Sequence, residues 1–118
     1  MIKQELRQIA KDIIKDNALS DIKIQFKHTY CGRARPLTRK ITIPMWTVEN
    51  TRAYAIYYVI HELTHFIVNM GHGEAFKNKE REILEKYNMK PIYKKVYVKY
   101  LTDLEGNKLC QEYGKEIR

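Results

Sequence analysis

His61, Glu62 and His65 stand together in the run His61-Glu62-Leu63-Thr64-His65, and His72 follows in Gly71-His72-Gly73-Glu74-Ala75-Phe76. Residues four apart on a helix lie about 40° apart around its axis, so the imidazoles of His61 and His65 can converge on one metal ion. Glu62, one residue round from His61, can reach a water on that metal without itself being a ligand. Two zinc ligands and a general base on one helical turn are what metal-assisted hydrolysis requires.

Catalytic zinc needs a third protein ligand, and His72 is placed to supply it. Gly71 readily takes the left-handed backbone that ends helices, and a turn there would swing His72 back toward the metal. Three histidines and one position left for water are the ligand count of a catalytic site holding one Zn2+ per chain. Glu74, Glu80, Glu82 and Glu85 lie just downstream and are the alternatives to His72. Imidazole suits zinc and His72 follows a helix stop, which ranks it first. The competing reading, ordinary helix histidines beside a core, leaves the whole pattern without a cause.

HELTH, six residues, then His72 and Phe76 resembles the SprT-like zincin family, and the shorter YgjP/WLM-type metallopeptidases are similar in the same stretch. Gly32-Arg33-Ala34-Arg35, leading into Arg39-Lys40-Ile41-Thr42-Ile43-Pro44, also resembles the SprT-like strand before the active-site helix. The resemblance covers roughly residues 1–90 and is strongest over 61–76. It implies zinc-dependent peptide hydrolysis and, in some members, action on DNA-bound proteins. The second-to-third histidine spacing is one residue longer than in metzincins, which disfavours that family.

The elements that must position these residues fit one domain of 118 residues, with a core over about 1–90 and a basic, Tyr-rich segment over 91–118. Ile2, Leu6, Ile9 and Ile13 recur at helical steps, which predicts an amphipathic helix over 2–16. Ile22, Ile24 and Phe26 alternate with Lys23, Gln25 and Lys27, the period of a half-buried strand. His28 continues its polar positions and is expected at the surface. Residues 29–40 read as a basic loop or loosely paired hairpin. Residues 40–43 read as an edge strand halted by Pro44, a candidate to bind a peptide as an added strand. A helix capped by Thr47 or Asn50 is expected to run to about Met70. Tyr54, Tyr57 and Tyr58, a turn or two before His61, are expected in its core and rim. A third helix spans about 74–87, and a hairpin with a turn at Glu105-Gly106-Asn107 spans roughly 95–111. The fold class expected is α+β: a minimal zincin-like domain of three helices on a small antiparallel-containing sheet, with a C-terminal basic hairpin.

Hydrophobic residues make up 44% and charged residues 31%, an ordinary globular balance. The first residues interleave charge with apolar side chains, and no apolar run approaches the roughly 18–20 residues that span a bilayer. A cytoplasmic protein without membrane contact is expected. Cys31 and Cys110 supply no CxxC pair and are expected as free thiols.

The net charge of +8 is concentrated. Residues 22–48 carry Lys23, Lys27, Arg33, Arg35, Arg39 and Lys40 with no acid, and Lys94, Lys95 and Lys99 are interleaved with tyrosines further on. Arg33, Arg35, Arg39, Lys40, Lys94, Lys95 and Lys99 are therefore candidate contacts for nucleic acid or substrate. The first reading is a zinc metallopeptidase acting on polypeptides, with Glu62 activating a zinc-bound water and DNA-associated proteins as candidate substrates. The alternative is a nucleic-acid-binding protein, DNA its partner, whose zinc site is structural or vestigial.

Overall fold

A computed structural model describes residues 2–49, 51–68, 73–95 and 97–109. The architecture is α+β and is built around one helix. Helix α1 (Ile2–Asp16) opens the chain and buries Leu6, Ile9, Ala10 and Ile13, the stripe its three- and four-residue spacing dictates. Three strands follow: β1 (Lys23–Lys27), β2 (Arg33–Arg35) and β3 (Lys40–Pro44). They form a sheet in the order β1-β3-β2, with β1 parallel to β3 and β2 antiparallel to it.

This order corrects the reading of residues 40–43 as an edge strand. β3 is central, paired to Lys23–Lys27 on one side and Arg33–Arg35 on the other, and β2 is an edge. Pro44, which suggested an edge, sits at the last position of β3, where a missing amide interrupts no further ladder.

Pro44 is followed by a one-turn helix α2 (Met45–Val48), a fourth helix beyond the three expected. Thr47 turns its hydroxyl back to the Pro44 carbonyl, 2.7 Å, and so does not cap the long helix. That role falls to Thr51, whose hydroxyl accepts from the Tyr54 amide at 3.2 Å. Helix α3 (Arg52–Ile67) then runs through the centre, and every residue from Tyr54 to Thr64 is buried. It packs against α1, α2, β2, β3 and helix α4 (Glu74–Lys86). A helix covered on all sides is apolar all round, so polar residues inside it need a specific reason to be there. Asn50, Met70 and Cys110 lie outside the described residues; Cys31 is a free thiol.

Helix α4 ends in a left-handed turn at Asn88 (φ 62°), with the Met89 amide bonded to the Leu84 carbonyl and the Asn88 amide to that of Glu85. This closing turn reverses the chain into strand β4 (Lys90–Lys94), antiparallel to β5 (Tyr97–Thr102). A hairpin over 90–102 thus precedes the expected one. The turn at Glu105-Gly106-Asn107 is present, and among the described residues it pairs Thr102 with Lys108 and bonds the Leu109 amide to the Leu101 carbonyl; residues 110 and 111 lie outside them. Among the described residues no helix is long and apolar enough to cross a membrane.

β2 reaches α3 through one backbone contact, in which the Gly32 amide donates to the Tyr58 hydroxyl at 2.8 Å. A Cβ on Gly32 would stand 2.5 Å from the Tyr58 ring and 2.7 Å from the Thr42 carbonyl oxygen. Neither neighbour is a flexible side-chain end. Gly32→Ala should therefore cost about 1–3 kcal/mol, read as a lowered denaturation midpoint with an unchanged slope.

Candidate metal centre

The three residues singled out by spacing are brought together: ligand atoms of His61, Glu62 and His65 lie within 4.8 Å of one another. His61 and Glu62 are buried and His65 is half-buried, so the cluster sits at the end of α3 where the core meets the surface. Phe76, from the first turns of α4, closes the apolar side. Its ring centroid is 5.0 Å from that of His61 and 4.7 Å from that of His65. Packing against one aromatic limits the rotations open to both imidazoles. His72 lies outside the described residues.

Of the four downstream glutamates, burial singles out Glu80. Glu74 and Glu82 are exposed and engage Lys77 and Lys79 on the helix surface, and Glu85 is exposed. Glu80 is 1% exposed. Its Oε2 lies 2.7 Å from His61 Nδ1, and its Oε1 accepts from the Tyr93 hydroxyl at 2.7 Å. A carboxylate on Nδ1 is met by Nδ1–H, which leaves the lone pair on Nε2. The Tyr57 hydroxyl stands 3.4 Å from the same Nδ1.

Sequence reasoning named Glu80 only as one of four, placed Tyr57 in the core and rim, and gave Tyr93 no role at the site. The signal for Glu80 was available, because Phe76, Glu80, Ile83 and Leu84 share one helical stripe and Glu80 is its polar member. The signal for Tyr93 was not, since it depends on the reversal that brings β4 back along α4.

Glu62 is the most unusual group here. It is fully buried, and among the described residues no donor reaches either carboxylate oxygen. Burial raises its pKa to about 7, against a smaller opposing pull from His61. Burial, reinforced by Glu80, also raises the pKa values of the Tyr57 and Tyr93 phenols, so both are hydroxyl donors at neutral pH. Burial takes the Tyr58 phenol up to about 12. Two carboxylates thus sit in the core beside two imidazoles, and among the described residues neither forms an ion pair with a lysine or arginine. Buried carboxylates are ordinarily paired or bound to metal. The donor set therefore fits a divalent cation.

The remaining candidates fall in two places. Arg33 and Arg35 are exposed on β2, and Lys40 begins β3. Arg39 donates to the Ser20 and Asp21 carbonyls, which commits its guanidinium to tying the α1–β1 connection to the sheet. Lys94 and Lys95 are exposed at the tip of the other sheet, and Lys99 is exposed on β5. His28 is exposed, as its spacing implied.

This α+β fold is shared with two solved metallopeptidase structures. The metallopeptidase zymogen of Methanocaldococcus jannaschii jannalysin superposes with a TM-score of 0.54 at 23% identity, covering 70% of this chain and 92% of that one. The zymogen of Pyrococcus abyssi abylysin gives 0.54 at 20% identity, covering 74% and 91%. At these identities the likeness is one of fold. No family model matches the chain, and no curated protein matches it.

Two outcomes follow from this geometry. In metal-free protein, Glu62→Gln should be stabilising by about 2–3 kcal/mol at pH 8, because it removes a carboxylate whose folded pKa lies well above its unfolded 4.5. The folded state binds the extra proton, so the difference between variant and wild type should vanish below pH 4.5 and grow as pH rises through 7. Denaturation of both proteins in chelator across that range measures it. Second, Tyr93→Phe should weaken divalent-metal affinity about 10- to 100-fold, through loss of the hydroxyl that fixes Glu80, as competition with a chromogenic chelator would show.

Proposed function

We propose that the protein is a zinc-dependent metallopeptidase, with one metal per chain held by His61 and His65 and with Glu62 as general base. The observation that carries the reading is Glu62: a buried carboxylate without a donor, one residue from a histidine pair, is placed at a cost that a structural role does not explain. The resemblance of HELTH and its flanks to the SprT-like zincins, and the fold shared with the jannalysin and abylysin zymogens, support it. Glu80 and His72 are the candidates for the third ligand. We favour His72, since both oxygens of Glu80 are already engaged, one at His61 Nδ1 and one by the Tyr93 hydroxyl, away from the Nε2 left for the metal.

A divalent ion there supplies Lewis acidity, lowering the pKa of water and polarising the scissile carbonyl. The chain's own residues do the rest. Glu62 takes the proton of the attacking water and returns it to the leaving amine, and its raised pKa of about 7 suits both transfers. Tyr93 and Glu80 hold His61 in one tautomer and orientation. Phe76 excludes water from the apolar side of the imidazole pair. The polypeptide is bound in extended form along the free edge of β2, the edge strand beside α3.

The second reading, a nucleic-acid-binding protein with DNA as partner and a structural or vestigial metal site, rests on one observation: the cationic strands β1, β2 and β3. It is also compatible with a protease brought to DNA-associated proteins. It predicts DNA binding that falls steeply with salt and survives metal removal.

The deciding experiment measures metal content and peptide hydrolysis on protein purified without a histidine tag. Wild type should carry about one zinc and cleave an unfolded protein substrate. Glu62→Gln should keep the metal and lose at least about 100-fold in rate. His72→Ala should lose the metal and Glu80→Ala should keep it at reduced affinity; the opposite pattern makes Glu80 the third ligand. Wild-type protein that takes up no zinc leaves the nucleic-acid reading standing alone.

A further inference from the structure

The three-stranded sheet has one face on the helices and one turned away from them. Ile24, Ile41 and Ile43 are buried on the inner face. Alternation then puts Lys23, Gln25 and Lys27 of β1, and Lys40 and Thr42 of β3, on the outer face. The register sets Arg33 opposite Thr42 and Arg35 opposite Lys40, so both arginines share that outer face while Ala34 faces Ile41 inside. The three strands contain no acidic residue. Arg35 and Lys40 are like charges directly opposed across two strands, an arrangement that costs stability unless an anion lies against it. Lys27, Arg33, Arg35 and Thr42, with the exposed Tyr30 beside them, bound a groove of about 500 Å³.

The strand that carries these arginines is also tied to the helix of the candidate metal centre. Gly32, at the head of β2, is bonded to the Tyr58 hydroxyl, and Tyr58 lies one turn before Glu62 on α3. We infer that Arg33 and Arg35 make the edge strand selective for acidic polypeptides. Their charges meet carboxylates two residues apart on an extended chain laid against β2. The spacing follows from the pleat, because residues on one face of an added strand alternate. A peptide is favoured over a nucleic acid because the edge offers main-chain donors and acceptors at ladder spacing, which only another polypeptide backbone matches.

The inference rests on the metallopeptidase reading, and its test separates the two. Zinc-loaded wild type and Arg33→Glu/Arg35→Glu protein are given matched quenched-fluorescent peptides carrying Asp-x-Asp, Ser-x-Ser or Lys-x-Lys. Both positions are exposed, so an unchanged melting temperature checks the fold of the variant. Wild type should favour the acidic over the neutral peptide by up to about tenfold in kcat/KM, the sum of two exposed ion pairs, with the order inverted in the variant. The same peptides are titrated onto Glu62→Gln protein by fluorescence anisotropy. Acidic-peptide binding that the double substitution abolishes, while zinc-loaded wild type cleaves none of the peptides, would uphold the surface and defeat the hydrolase reading. Equal handling of acidic and neutral peptides in both assays overturns the inference. So does a single-stranded oligonucleotide that binds these arginines while the peptides show no charge preference.

Discussion

The rest of the structure depends on a buried polar interaction, the hydrogen-bonded line from Tyr93 through Glu80 to His61. It joins three elements distant in sequence: β4, α4 and α3. Each group in it would be costly alone in the core, and each is made tolerable by the next. The line also explains why α4 packs where it does. An apolar stripe of Phe76, Ile83 and Leu84 would permit some sliding along α3, whereas a carboxylate that must meet a particular imidazole nitrogen permits one register. Buried polar groups can specify a packing arrangement in this way.

Much of the centre was legible because its information is local. The i, i+4 spacing of His61 and His65 needs only a helix, and the apolar run from Ala53 to Ile60, extended by Leu63 and Ile67 at helical steps, points to one. Helix α1 was legible to the residue for the same reason. What escaped was information held in pairings between distant segments. Pro44 looked like the mark of an edge strand, yet the strand order is set by β1 arriving in parallel on the other side of β3. There a correct local signal was given too large a structural consequence. Glu105-Gly106-Asn107 marked a turn, while a hairpin had already formed upstream, where Asn88 reverses the chain. Tyr93 carries no local signal at all, since nothing in a strand of lysines and tyrosines says which ring will meet a carboxylate.

The tyrosines of α3 show how close the chemical and structural readings of one residue can lie. Tyr54, Tyr57 and Tyr58 are all buried and stack with Trp46 and one another, as core residues should. Tyr57 nevertheless ends 3.4 Å from the nitrogen that Glu80 holds, and Tyr58 anchors the head of β2. A helix buried on every side has no face to spare, so packing residues necessarily become the walls of whatever site the helix carries.

This sharing of parts bears on how selectivity could arise in this domain. One helix holds the candidate metal ligands, and one hydrogen bond to that helix fixes the strand beside it. The outer sheet face is the part that remains free to vary, because its side chains lie outside the core and leave the packing on the other side untouched. Charge on that face can change without moving Glu62, whereas any change on the inner face would reach α3 through Ile41 and Ile43. The two faces of one sheet thus separate the requirement for a fixed site from the requirement for a particular substrate, and the period of two along each strand keeps them apart.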